Sequence, residues 1–154
     1  MRLEILAVDR VRAAWAQAAM ADYLARLERY GPAARREVKA ARGDDPTGVA
    51  EEGERLLRAA AIGPGDRLVA LTPGGELLDS PAWAELLGEW RDGGVRRAVF
   101  AVGGAGGLAP AVVTAAGRSL SLGRQTISHE LAQVVLAEQL YRAWTILRGE
   151  PYHK

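Results

Sequence analysis

The chain has two histidines, His129 and His153, and both lie in its last third beside the residues best suited to hold a ligand. Upstream of His129 stand Gly103-Gly104-Ala105-Gly106-Gly107 and then the polar run Ser119–Ser128, SLSLGRQTIS in one-letter code. After a long apolar stretch the sequence ends in Tyr152-His153-Lys154. A glycine loop lets backbone approach a ligand closely. The terminus offers an aromatic ring, a cation, and an imidazole whose ordinary pKa of ~6.5 suits proton transfer. Two sharper readings of the glycines fail. A P-loop needs Lys-Ser/Thr after its last glycine, and Leu108-Ala109 stand there. Gly104-x-Gly106-x-x-Ala109 fits the dinucleotide fingerprint loosely, but the acid required on the next strand is missing, and Glu130 already belongs to the last helix.

Composition narrows the classes. At 154 residues the simplest organisation is one domain, residues 1–154. No cysteine is present, so disulfides and thiolate metal sites are excluded, and two distant histidines predict no metal. Net charge is +1, so nucleic acid would have to meet a local patch. Met1–Val8 is too short and too charged for a signal peptide, and no stretch reaches the ~20 apolar residues of a membrane span. The expected location is the cytoplasm, with no membrane partner.

Strand and helix signals alternate along the chain. Strands are expected at Arg2–Val8, Ala33–Ala40, Arg67–Thr72, Arg97–Val102 and Ser119–Leu122. Helices are expected at Arg12–Tyr30, Thr47–Ala61, a Ser80-capped segment closing at Asp92-Gly93-Gly94, Leu108–Arg118 and Ser128–Leu147. Pro73-Gly74-Gly75 reads as the end of the third strand. Trp15, Ala19, Tyr23, Leu27 and Tyr30 share a stripe that should face the core, whereas Arg35, Arg36 and Lys39 should point outward. This alternation predicts an α/β fold, a mostly parallel sheet with helices on both faces.

The last helix is apolar around most of its circumference. Leu136, Leu140, Trp144 and Leu147 form one face, with Val134 and Tyr141 on one flank and Val135 and Ile146 on the other. Only the Glu138/Arg142 face is clearly polar. Such a helix needs burial on more than one side, and a second copy of the chain is the expected cover. Three loops, Thr72–Glu76, Gly103–Gly107 and Gly123–Ser128, each follow a strand and so share one sheet edge, the usual place for a ligand in parallel sheets.

Gly103-Gly104 with Gly107, the SLSL run at Ser119–Leu122, Thr126-x-x-His129, EQLYRAW at Glu138–Trp144 and GEPYHK at Gly149–Lys154 resemble the RlmH-type methyltransferases of the SPOUT class. The resemblance spans the whole chain. It implies a carboxyl-terminal trefoil knot, a homodimer and S-adenosyl-L-methionine as cofactor. The implied substrate is N3 of a pseudouridine in 23S ribosomal RNA, within the assembled ribosome or large subunit. Carried over by position, Leu71, Thr72, Pro73, Gly103, Gly104, Gly107, Leu122, Gly123, Arg124, Gln125, Thr126, Ile127 and Ser128 would hold the cofactor. Glu138, Arg142, Tyr152, His153 and Lys154 match the polar residues around methyl transfer. His129, Arg142, Arg148 and Lys154 would meet substrate, with the terminus supplied by the other subunit.

In the implied chemistry His153 takes the N3 proton, Arg142 stabilises charge on the ring oxygens, and Tyr152 stacks on or orients the base. Exposed cations, Arg35, Arg36, Lys39 and Arg42 in one group and Arg124, Arg148 and Lys154 in another, would contact RNA. The chain departs from the family pattern at Ser128, where proline is usual, and at Gln133, where arginine is common and a charge for substrate is therefore expected to be lost. Two alternatives remain open: a SPOUT methyltransferase for another RNA such as tRNA, and a non-catalytic RNA-binding dimer of the same fold.

Overall fold

Period-two alternation in short β-rich segments builds one parallel sheet whose two faces bury different residues. The structure, a computed structural model, describes residues 1–154. Its elements run β1 Arg2–Val8, α1 Ala14–Leu27, β2 Ala33–Val38, α2 Pro46–Ala60, β3 Asp66–Leu77, α3 Ser80–Asp92, β4 Arg97–Val102, α4 Pro110–Ala115, β5 Arg118–Ser121 and α5 His129–Leu147. The strand order is β2-β1-β4-β3-β5, and every pairing is parallel. On one face Leu3, Ile5 and Ala7 of β1 and Ala98, Phe100 and Val102 of β4 pack with α1, α3 and α5. On the other, Leu6 and Val8 with Val99 and Ala101 pack under α2 and α4. The α/β expectation of helices on both faces therefore holds.

α5 lies against both α1 and α3. Leu136, Ala137 and Leu140 are fully buried there, and each leucine contributes roughly 1.5–3 kcal/mol by leaving water. Tyr30 stacks on Trp144 at 5.6 Å, tying the end of the α1 segment to α5. Much of the apolar circumference of α5 is thus covered within one chain, so its composition alone does not demand a second copy. Leu131 in its first turn stays exposed, as does Trp15 on α1.

Several local expectations are corrected. Trp15 is 55% exposed, whereas Leu27 of the same stripe is buried and Tyr23 and Tyr30 pack against the core; at the start of α1 the buried positions are Ala16 and Met20 instead. Pro73-Gly74-Gly75 does not end β3. The strand makes an excursion there and resumes, so that Leu120 of β5 pairs with both Leu71 and Glu76. Pro73 sits where the ladder has lapsed, and its missing N–H costs no sheet bond. A Cβ on Gly75 would come 2.5–2.7 Å from Leu120 backbone atoms, so only glycine permits the return. The cap of α3 is Asp79, whose carboxylate accepts from Ala82 N at 2.8 Å; Ser80 donates to Gln139 at 2.9 Å instead. α4 is shorter than expected because Gly117 already bonds to Leu68 and starts β5.

The amino-terminal edge of the sheet is pinned by Arg97, which donates to Asp66 at 2.8 Å and to the Ala60 carbonyl at 2.7 Å. That guanidinium holds the Asp66 carboxyl below the usual carboxylate range. The opposite, carboxyl edge is left to the loops.

Candidate active site

Three strand ends deliver three loops to one cavity of about 560 Å³. β3 contributes Leu71, Thr72 and Pro73. β4 contributes Val102 and the run Gly103–Gly107. β5 contributes Ser121, Leu122, Gly123, Gln125, Thr126, Ile127 and Ser128, with His129 and Ala132 from the start of α5. Of the cofactor residues expected from sequence, all but Arg124 line this cavity; Arg124 is exposed and points elsewhere. Val102, Ser121 and Ala132 were missed. Ser121 is buried, and its hydroxyl donates to the Gly123 carbonyl at 2.8 Å, which shapes the turn after β5.

The glycine loop is folded tightly on itself. Gly104 and Gly107 form an isolated antiparallel bridge, and Gly107 has φ +82. A Cβ on Gly103 would lie 2.3 Å from the Gly107 carbonyl carbon and oxygen, and 2.7 Å from Leu108 N. All three are backbone atoms with no freedom to step aside, so the loop's close return requires glycine.

No lysine or arginine lines the cavity. A triphosphate would find nothing to neutralise it. Apolar Leu71, Val102, Leu122 and Ile127, framed by backbone donors and acceptors, suit instead an aromatic ring joined to a chain that carries no phosphate. S-adenosylmethionine fits that description, and the glycine cradle leaves the close backbone approach it would need.

α5 begins with a cap the sequence only half disclosed. Ser128 Oγ accepts from Leu131 N at 3.4 Å, so this serine ends the loop and starts the helix. Glu130 reaches across to α1, accepting from the backbone N–H of Arg12 and, at 3.3 Å, of Ala13. The Arg12 N–H holds the Glu130 carboxyl below its ordinary range. These contacts fix the helix turn that carries His129.

Glu138, Arg142 and Tyr152 come together on the outer side of α5 and do not line the cavity. Arg142 donates to Glu138 Oε1 at 2.6 and 3.0 Å, and Tyr152 donates to the same oxygen at 3.1 Å. The guanidinium stands 4.7 Å from the Tyr152 ring centre, and Tyr141 meets that ring edge-on at 4.8 Å. Burial pushes the Tyr152 hydroxyl up from its usual range, so it stays a proton donor. Tyr30 donates to Glu150 at 2.7 Å, which anchors the turn before the terminus. His153, Lys154 and Arg148 are exposed.

Gln133 is not the lost substrate charge that its position suggests. It is fully buried, accepting from Arg35 Nε at 2.7 Å and donating to the His129 carbonyl at 3.1 Å. Arg35, expected to point outward, is drawn in from β2 and also reaches the Asp9 carbonyl at 2.7 Å. Arg36 pairs with buried Glu4 at 2.8 Å. Of the expected group of exposed cations, Arg35 is therefore withdrawn, Arg36 stays exposed but paired, and Lys39 and Arg42 stay exposed beyond the end of β2. Gln133→Arg would set two guanidiniums against each other in the interior and should destabilise the fold by about 3 kcal/mol or more. Adding Arg35→Gln should restore most of that loss. Urea denaturation of both variants checks this, and a Q133R protein as stable as the parent would refute it.

The Predicted SPOUT methyltransferase family model matches residues 1–153. The chain is 45% identical over 155 residues to the Ribosomal RNA large subunit methyltransferase H of Cereibacter sphaeroides (strain KD131 / KCTC 12085), covering 100% of this chain and 99% of that one. It is 44% identical over 154 residues to the protein of the same name from Anaeromyxobacter sp. (strain Fw109-5), covering 100% of both. Among solved structures, a probable methylase family protein from Haemophilus influenzae Rd KW20 matches with TM-score 0.59 at 11% identity, over 99% of this chain and 70% of that one. A probable methyltransferase from Bordetella pertussis Tohama I matches with TM-score 0.55 at 16% identity, over 92% and 95%. These two share the fold. With the family model spanning nearly every residue and full-length relatives well above 30% identity, the chain belongs to the SPOUT methyltransferase family.

Proposed function

We propose that this chain, residues 1–154 acting as one catalytic domain, is a cytoplasmic S-adenosylmethionine-dependent methyltransferase of 23S ribosomal RNA. Its target is N3 of a pseudouridine in the large subunit, and it works as a homodimer. The observation that carries the reading is the glycine-cradled cavity free of cations, in a chain whose full-length relatives bear the name of a large-subunit RNA methyltransferase. The family's knot would form where the Gly123–Ser128 loop packs beside the β3 and β4 loops.

Residues at the cavity would hold the cofactor with backbone from Gly103–Gly107 and Leu122–Ser128 and with Leu71 against its ring. Bound there, the cofactor supplies an electrophilic methyl on a sulfonium. Everything else falls to the chain: aligning the base, excluding water and removing the N3 proton. Alignment is worth up to ~7–11 kcal/mol in the best intramolecular cases.

Glu138, Arg142 and Tyr152 stand outside their own chain's cavity, so the reading requires the partner's terminus to reach it. The exposed Trp15 and Leu131, on packed helices α1 and α5, are the apolar surface a second copy would cover. Tyr152 has its hydroxyl on Glu138 and Arg142 over its ring, which favours orienting the base over stacking on it. Arg142 stabilises charge on the ring oxygens while Glu138 fixes its direction. His153, free of internal bonds, accepts the proton.

Titration calorimetry with S-adenosylmethionine should show binding. Mass mapping of ribosomal RNA from a deletion strain, treated with the purified protein, should then show one added methyl on a large-subunit pseudouridine. Methylation of tRNA instead would move the target. No heat with the cofactor would favour a non-catalytic RNA-binding dimer.

A further inference from the structure

A second cavity, about 330 Å³, lies on the far side of the glycine loop at the carboxyl ends of β1 and β2. It shares Gly104, Ala105, Gly106 and His129 with the first, so these residues form a rim common to both. Its most unusual lining residue is Glu52 of α2. The residue is 7% exposed, an uncommon burial for a carboxylate. Glu52 Oε1 accepts from Ala41 N at 2.9 Å. Oε2 accepts nothing from the protein, yet it is not sealed from solvent, and Glu52 lines the cavity.

The surroundings keep that oxygen reachable. A Cβ on Gly104 would lie 3.1 Å from Glu52 Oε2 and 3.1 Å from Val8 Cγ1, so a side chain there would crowd the carboxylate. Asp9, at the cavity's β1 side, has φ +63, a strained conformation for a non-glycine residue. Asp9's own carboxylate is engaged by Arg12 at 2.7 Å. A metal ion is a poor match: nowhere do three His, Cys, Asp or Glu side chains converge as a metal site. What a half-satisfied, buried carboxylate wants is an N–H or O–H donor.

We propose that the target base lies across the rim shared by the two cavities, with its reacting N3 turned to the cofactor cavity, and that in the second cavity Glu52 Oε2 accepts a hydrogen bond from a ring N–H other than the one that is methylated. This rests on the RNA methyltransferase reading above. Its consequence is selectivity. A pyrimidine joined to ribose through carbon keeps two ring N–H groups, whereas one joined through nitrogen keeps only the imide N–H that reacts. Glu52 therefore reads the carbon-linked isomer from the far side of the rim that borders the cofactor cavity. Glu52 is a binding residue in this scheme and takes no proton.

The test uses Glu52→Gln. Ala41 N–H will keep the amide oxygen, which turns the amide NH₂ toward the cavity and sets donor against donor. Purified wild type and E52Q are compared on large subunits bearing pseudouridine at the target position, and on subunits from a strain lacking the isomerase, which bear uridine there. Wild type should prefer pseudouridine. E52Q should lose about tenfold to a hundredfold in kcat/KM on pseudouridine subunits and little on uridine subunits, with cofactor affinity by calorimetry unchanged. Should E52Q fold poorly, Glu52→Asp keeps the acid and withdraws it by one methylene, and an intermediate loss of preference is expected. An unchanged preference in whichever variant folds overturns the proposal for Glu52 while leaving the methyltransferase reading intact. A wild-type protein that methylates neither subunit overturns the reading itself.

Discussion

Gly103→Ala will abolish cofactor binding while leaving the sheet folded. The added methyl would sit 2.3 Å from the Gly107 carbonyl carbon and oxygen and 2.7 Å from Leu108 N. Contacts that short with backbone are relieved only by opening the loop, which displaces the Gly104–Gly107 bridge and the wall of the main cavity. β4 ends one residue earlier, at Val102, so its pairings with β1 and β3 are spared. The expected loss is at least about a hundredfold in S-adenosylmethionine affinity, a loss of roughly 2.7 kcal/mol in binding. Calorimetry reads it, with circular dichroism confirming the fold. Gly74→Ala is the matched control: a Cβ there meets nothing within 4 Å, and its backbone conformation admits alanine. G103A binding within a few fold of the parent would mean that the glycine cradle is not the cofactor's.

The parts of this design that were legible in sequence are those set by local periodicity. Each expected strand formed, and each of the three loops expected at one edge lines the same cavity. What escaped depends on distance in the chain. Arg35 looks like a solvated cation on an edge strand until Gln133, 98 residues away, takes its Nε. Glu52 looks like an ordinary helix surface acid until the Ala41 loop and Gly104 close over it. Trp15 misled because a stripe of large aromatics outweighs small Ala16 in any periodic count, although Ala16 is the residue that is fully buried. Pro73-Gly74-Gly75 carried every mark of a strand end, yet the chain uses it as a detour, since β5 still has a partner to pair with beyond it. The Glu138, Arg142 and Tyr152 cluster was visible as residues and invisible as a place: helical spacing joins the first two, but only the fold shows that they face away from their own cavity.

His153→Ala should lower turnover by ~10²–10⁴-fold with cofactor affinity nearly kept, because the role proposed for the imidazole is proton removal and it lies outside the cofactor cavity. Paired with Gly103→Ala, it also tests whether each site is shared between protomers. Either variant alone has both of its dimer sites broken. In a mixed dimer, a composite arrangement places the intact terminus of the G103A chain over the intact cavity of the H153A chain, and combines both lesions in the other site. Co-expression in equal amounts makes about half the dimers mixed, each with one good site of two, so about a quarter of wild-type activity should return. If cavity and terminus act within one chain, every site in every dimer carries one lesion and no activity returns. The tail is held within its own chain, to α5 by Tyr152 on Glu138 and to the segment after α1 by Tyr30 on Glu150, so swinging back to its own cavity would strain or break these bonds. Recovery by mixing therefore measures contact between copies, and its absence would remove the homodimeric site from the proposed mechanism.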